Sequence, residues 1–290
     1  GIVVGFPCFI QLPVHGFPNL LICWIIMEDG TLNWADGTWT NPFAALKRKH
    51  TFTQDNLNVS SAISYNLLDG FAIKANLGFS TNETQMLQIN PISASNPSFT
   101  GTTGNALQGR DKQRNWQVEP QLLYNTHFGS LALDAIVGGA FQSTEHEGFQ
   151  LMTFGYINDA LIGNTRSASS ILISRDDFSQ YRYAAAFTRV GLAWRERYLL
   201  NLTGRRDGSS RFGTGKRFGN FGAIGAAWVV SNEAFMKSTP AVSFLKLRGS
   251  YGTTGNDRIG DYAYMDTYSA GNYRGQTSLS PTQLFNPDYA

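Results

Sequence analysis

The stretch RYLLNLTGRRDGSSRFGTGKRFGNFGAIGAAWVVS, residues 197–231, decides the fold. Both ends alternate apolar with small or polar residues, the period-two pattern of strands that have one apolar face. The middle is glycine-rich and carries Arg205, Arg206, Arg211, Lys216 and Arg217. Two greasy strands joined by a basic, flexible connection are therefore expected.

Composition narrows the setting. The 290 residues are 42% hydrophobic and 13% aromatic but only 15% charged, against about 25% charged in ordinary soluble domains. No apolar run approaches the roughly 20 residues that a spanning helix needs, which excludes a helical membrane protein. A net charge of +2 gives no clustered basic excess of the kind a nucleic-acid partner asks for. The only cysteines, Cys8 and Cys23, stand near the N-terminus and could pair, and no thiol follows to serve as nucleophile or metal ligand. Residues 1–36 are largely apolar but broken by Pro7, Pro13 and Pro18. They lack the basic start and cleavage site of a secretory signal, so they are expected to lie outside any regular fold, with residues 37–290 forming the domain. A chain that starts with Gly and stops at FNPDYA reads as an internal piece of something longer.

From residue 57 onward the period is two. Leu57, Val59, Ile63 and Tyr65 alternate with Asn58, Ser60, Ala62 and Ser64. After LLDG, the residues Phe71, Ile73, Ala75, Leu77 and Phe79 alternate with Lys74, Asn76, Gly78 and Ser80, which predicts a hairpin. NWQVEPQLLYN (115–125) and LALDAIVGGAF (131–141) predict a second hairpin with strands of about ten residues. Pro120 inside that run implies an edge or a bulge.

The connections alternate in length. Short turns are expected near 67–70, 125–130 and 195–197, with a slightly longer one at 231–243, and long polar connections at 81–114, 143–180, 207–220 and 253–290. Short periplasmic turns on one side and longer external loops on the other are the rhythm of an outer-membrane barrel. The expected fold is all-β: a partial transmembrane antiparallel β-barrel of about eight strands. Aromatic residues near strand ends, among them Tyr65, Phe71, Tyr124, Phe128, Phe141, Trp194, Tyr198 and Trp228, suit the lipid headgroup level.

Catalytic and metal chemistry find no support. GTGK at 213–216 lacks the Gly five residues before the Gly-Lys pair and the Ser or Thr after it that a P-loop requires; Ser210 and Arg217 stand there. His15, His50, His127 and His146 are scattered, without metal-ligand spacing. Asp176 and Asp177 adjoin in an expected loop, but hydrolysis of a glycosidic bond needs two carboxylates placed around it. No nucleophile, base and orienting acid assemble, so no enzyme activity and no cofactor is expected.

Three segments in order, RYLLNLTGRRDGSSRFG (197–213), AAWVVSNEAFMKS (226–238) and FLKLRGSYGTTGNDRIGDY (244–262), resemble the barrel of SusC/RagA-like TonB-dependent outer-membrane transporters. TNPFAALKR (40–48) and NWQVEPQLLYN also match in order, so the resemblance covers about residues 37–290. It implies a slice of a barrel of about 22 strands with a plugged lumen, in the outer membrane. Such a transporter imports glycan or peptide fragments, works with a SusD-like surface lipoprotein, and meets the TonB complex through a plug region outside this chain. The family's signal peptide, N-terminal extension, TonB-contacting box and last strands find no counterpart here. The resemblance makes Leu200 and Leu202 lipid-facing and Asn201, Thr203 and Arg205 lumen-facing. Arg205, Arg206, Asp207 and Arg211 become loop candidates for ligand contact, with ion pairing inside the loop the favoured role. Two alternatives are a siderophore or cobalamin receptor of the same barrel type and a soluble β-sandwich carbohydrate-binding module; the sandwich would want polar outer faces and more charge. A membrane hydrolase would need Ser, His and an acid facing one cavity.

Overall fold

The structure, a computed structural model, describes residues 25–27, 29–34, 37, 40–236 and 242–286. Cys8, Cys23, His15 and most of the segment 1–36 lie outside the described residues. Among the described residues ten strands carry the fold: β1 (Lys49–Leu68), β2 (Phe71–Asn90), β3 (Gly104–Phe128), β4 (Leu131–Tyr156), β5 (Ser170–Trp194), β6 (Tyr198–Ser209), β7 (Phe218–Val229), β8 (Lys246–Gly252), β9 (Thr267–Tyr273) and β10 (Gln276–Gln283). The one-turn helix α1 (Ala44–Lys47) precedes them. β1 to β8 form one eight-stranded sheet in chain order, antiparallel as expected, and β9 pairs with β10 in a separate ribbon.

Three short turns fall where the sequence places them, whereas the connection expected at 231–243 spans 230–245 and is longer than the 210–217 loop. β1 passes to β2 through Asp69 and Gly70, and β3 to β4 through Gly129 and Ser130. Gly70 has φ +79°, and a Cβ there would stand 2.4 Å from the Asn125 carbonyl oxygen, so only glycine fits. The β5–β6 turn instead places Arg195 and Glu196 in the left-handed region, at φ 53° and 56°.

The long connections are shorter than expected and the strands longer. β1 to β5 run 20, 20, 25, 26 and 25 residues, so residues 91–103, 157–169 and 210–217 are all that remains of the first three polar connections. Strand pairing needs only backbone N–H and C=O groups, and it continues through stretches such as TNETQMLQ (81–88) where no face is apolar. Asp176 and Asp177 thus lie on β5 rather than in a loop. Pro120 sits in β3, between β2 and β4 and away from either edge of the sheet. The connection 253–290 contains the β9–β10 ribbon, with a bulge between Pro281 and Gln283; its polar strands carry no apolar alternation.

The chain divides into two compact units. The first takes its described residues from 25–55, 83–112 and 147–177. Its small core is Ala106, Tyr156 and Ile162, against which Leu87, Ile89 and Ala168 pack. Tyr156 is fully buried, and its hydroxyl donates to Thr153 Oγ1 at 3.0 Å. Asp159 ties down the start of the 91–103 connection, accepting from the Ile92 and Ser93 amides at 2.6 and 3.1 Å. Asn41 ties Ile25 to Asn33, donating to their carbonyls at 2.6 and 2.8 Å. The second unit takes its described residues from 56–82, 113–146, 178–236 and 242–286 and holds the short turns, the 210–217 loop and the β9–β10 ribbon.

Candidate functional site

Register gives the second unit two unlike faces. Trp194 pairs with Tyr198, Tyr198 with Trp228, and Trp228 with Leu247. The next rows on that face are Leu192, Leu200 and Ala226, then Val190, Leu202, Ile224 and Tyr251. Ring stacking reinforces the first row, with Tyr198 and Trp228 centroids 6.4 Å apart. This face is open: Leu202 is 40% and Ile224 49% exposed. A β-sandwich buries such a face against a second sheet. A contiguous apolar face left open marks contact with a partner or a membrane.

The opposite face is polar and internally paired. Thr203 stands opposite Arg189, Arg205 opposite Phe187 and Asp207 opposite Ala185. Arg189 Nη2 donates to Asp134 Oδ1 at 2.5 Å. Arg205 Nε reaches Asp207 Oδ1 at 2.5 Å, its Nη2 donates to the Tyr183 hydroxyl, and its guanidinium lies 5.6 Å from the Phe187 ring centre. A cleft of about 270 Å³ opens among β1 to β4, where the amides and hydroxyls of Asn58, Ser80 and Asn115 stand beside the apolar side chains of Val59, Phe79 and Trp116. Amides and hydroxyls without net charge give it hydrogen-bonding capacity in both directions.

A knot closes the end of this unit away from the short turns. Arg211, in the 210–217 loop, donates from Nε to Asp261 Oδ1 at 2.7 Å and from Nη1 to the Asp257 carbonyl at 3.1 Å. Its guanidinium stands 4.3 Å from the centre of the Tyr181 ring, within cation–π range. The Tyr181 hydroxyl donates to Asp257 Oδ2 at 2.5 Å, and the Tyr262 hydroxyl accepts from the Gln180 amide at 2.9 Å. Burial works to raise the Asp257 pKa, and the hydrogen bonds from Tyr181 and Ser209 and the charge of Arg211 outweigh it, holding the carboxyl below its usual range.

At the short-turn end, Glu233 gathers three donors. Its Oε1 accepts from the Tyr198 hydroxyl at 2.8 Å and from Trp228 Nε1 at 3.1 Å, and its Oε2 from Arg197 Nη1 at 3.0 Å. The Tyr198 and Trp228 hydrogen bonds, aided by the Arg197 charge, lower its pKa. Glu233 therefore fixes the aromatic row to the turn.

Of the four sequence candidates, Arg205, Arg206 and Asp207 lie on β6 and only Arg211 in the loop. Arg205 and Asp207 meet each other, Arg211 meets Asp261, and Arg206 stands apart on the apolar face with its guanidinium 5.2 Å from the Phe218 ring centre. Sequence reasoning missed Glu233, Asp257, Asp261 and Tyr262 as partners, although all four lie inside the quoted motifs. Among the described residues, no group of three or more His, Cys, Asp or Glu could hold a metal ion, and no helix is long and apolar enough to cross a membrane.

Comparison with known proteins agrees with the quoted motifs. No protein-family model matches the chain. TonB-dependent receptor P39 of Formosa agariphila is 31% identical over 93% of this chain and 26% of its own length. TonB-dependent receptor SusC of Bacteroides thetaiotaomicron is 29% identical over 83% of this chain and 24% of its own length. The RagAB peptide transporter shares the fold, with a TM-score of 0.77 and 23% identity over 86% of this chain and 28% of that chain. This chain spans about a quarter of the length of the relatives it matches.

Proposed function

We propose that this chain, a homologue of the SusC-like TonB-dependent receptors across most of its length, is a wall segment of an outer-membrane importer for large nutrients such as glycan or peptide fragments. One observation carries the reading: adjacent residues of β6 alternate between an open apolar face with an aromatic margin and a polar face whose charges are paired. Lipid suits the first face and a water-filled lumen the second. The cleft among β1 to β4 offers neutral amides and hydroxyls beside aromatic rings, which suit sugars and peptide backbones better than a metal chelate. The full-length protein would draw energy from the TonB complex through its plug region and work with a SusD-like surface lipoprotein. Its relatives are receptors and transporters by name, not enzymes.

The test uses cells that carry or lack the full-length transporter, given fluorescent oligosaccharides and oligopeptides of several lengths. Uptake of one of these classes should vanish on deletion and on collapse of the proton gradient. Unchanged uptake of both classes would refute the reading. A tagged transporter should also retain a surface lipoprotein through purification.

A further inference from the structure

We propose that Arg206, held by the Phe218 ring, binds the phosphate of an anionic glycolipid headgroup in the outer leaflet. The inference rests on the reading of the apolar face as lipid-facing. By register, Arg206 shares that face with Leu200, Leu202 and Ile224, and stands between Ala186 and Asn220. It is eight residues along β6 from Tyr198 of the aromatic row, roughly 26 Å of strand. At barrel tilts of 35–45° that places it about 20 Å up a band about 25 Å tall, at its outer margin.

Arg206, like Arg195 over the Trp194 ring and Arg274 over the Tyr273 ring, differs in its partners from the ion-paired arginines of this unit. Arg189, Arg197, Arg205 and Arg211 each reach a carboxylate. Arg206 has an aromatic ring beneath it instead, and the structure gives it no carboxylate among the described residues. The support is built into the fold: the Phe218 ring lies across Gly208, where a Cβ would stand 2.5 Å from Phe218 Cε1. Both Arg206 and Phe218 are exposed. A guanidinium seated on a ring keeps its edge N–H donors free, and its planar fork matches the oxygens of a phosphate. Asn220, directly across, adds an amide to the same spot. At the margin of a hydrocarbon band the anion that recurs is the headgroup phosphate.

The experiment reconstitutes the full-length transporter in phosphatidylcholine nanodiscs doped with bisphosphorylated lipid A or with its dephosphorylated form. Native mass spectrometry then reads the lipid A retained by wild type, Arg206→Ala and Arg206→Lys. Retention of the phosphorylated form should fall about fivefold in Arg206→Ala, with Arg206→Lys between, and the dephosphorylated form should not discriminate. Equal retention by wild type and Arg206→Ala would overturn the proposal. A spin label at Leu202→Cys checks the face independently through its collisions with oxygen or a water-soluble nickel chelate. A label that meets water overturns the lipid-facing reading together with this proposal. A label in lipid with equal retention overturns this proposal alone.

Discussion

Arg211 Nε donates to Asp261 Oδ1 at 2.7 Å, joining two loops fifty residues apart in the chain. The first comes from the RRDGSSRFG segment and the second from TTGNDRIGDY, so two of the recognised motifs exist to meet each other. Both partners are about a quarter exposed, which makes the pair stronger than a surface ion pair. Arg211→Ala should free residues 253–263, read as faster trypsin cleavage after Arg258. In a double-mutant cycle with Asp261→Asn the coupling should fall at about 0.5–3 kcal/mol. Strictly additive effects would mean that the contact does not hold the loop.

The same loop should respond to acid. The folded Asp257 carboxyl lies below its ordinary value, so the stability it contributes is present above the unfolded value of about 4. That contribution is lost as pH falls through the lower folded value. Hydrogen exchange in 253–263, corrected for intrinsic rates, should rise below about pH 4 and lose this dependence in Asp257→Asn. Loosening as the pH rises from 5 to 8 would have the wrong sign.

Glu233 predicts a graded pair of variants. Glu233→Gln keeps a carbonyl oxygen for Tyr198 and Trp228 but gives up the charge that Arg197 faces; Glu233→Ala leaves all three donors without it. The temperature at which the folded band disappears from a heat-modifiable gel should drop more for Ala than for Gln. Equal drops would assign the whole effect to the Arg197 ion pair.

Gly70 and Gly101 separate backbone strain from crowding. Both have φ +79°, but a Cβ at Gly70 meets the Asn125 carbonyl at 2.4 Å, whereas at Gly101 nothing lies within 4 Å. Gly101→Ala should cost only the left-handed penalty, roughly 1–2 kcal/mol, and Gly70→Ala more. Thermal midpoints of the refolded transporter compare them.

Strand alternation was legible wherever one face is apolar. Leu200 and Leu202 against Asn201, Thr203 and Arg205 read as two faces, and the register keeps them so. Strand length was not legible, because the period-two signal fades once both faces turn polar, as in Asn105–Arg114, while the backbone ladder goes on. The β9–β10 ribbon was hidden for the same reason. Pro120 pointed to an edge or a bulge, and the interior place of β3 rules out the edge. Arg211 was legible as an ion-pairing candidate but Asp257 and Asp261 were not its visible partners, since no periodicity links residues fifty positions apart. Glu233 stood in a quoted motif without a role until Arg197, Tyr198 and Trp228 converged on it.

The central claim is that the two faces of β6 meet lipid and lumen. Leu202 and Thr203 are adjacent and lie on opposite faces, so arginine at each is the direct comparison. In the full-length transporter, Leu202→Arg should lower stability by roughly 2–4 kcal/mol and sharply reduce folded protein in outer-membrane fractions, while Thr203→Arg leaves the yield near wild type. Equal losses at the two positions would contradict the account.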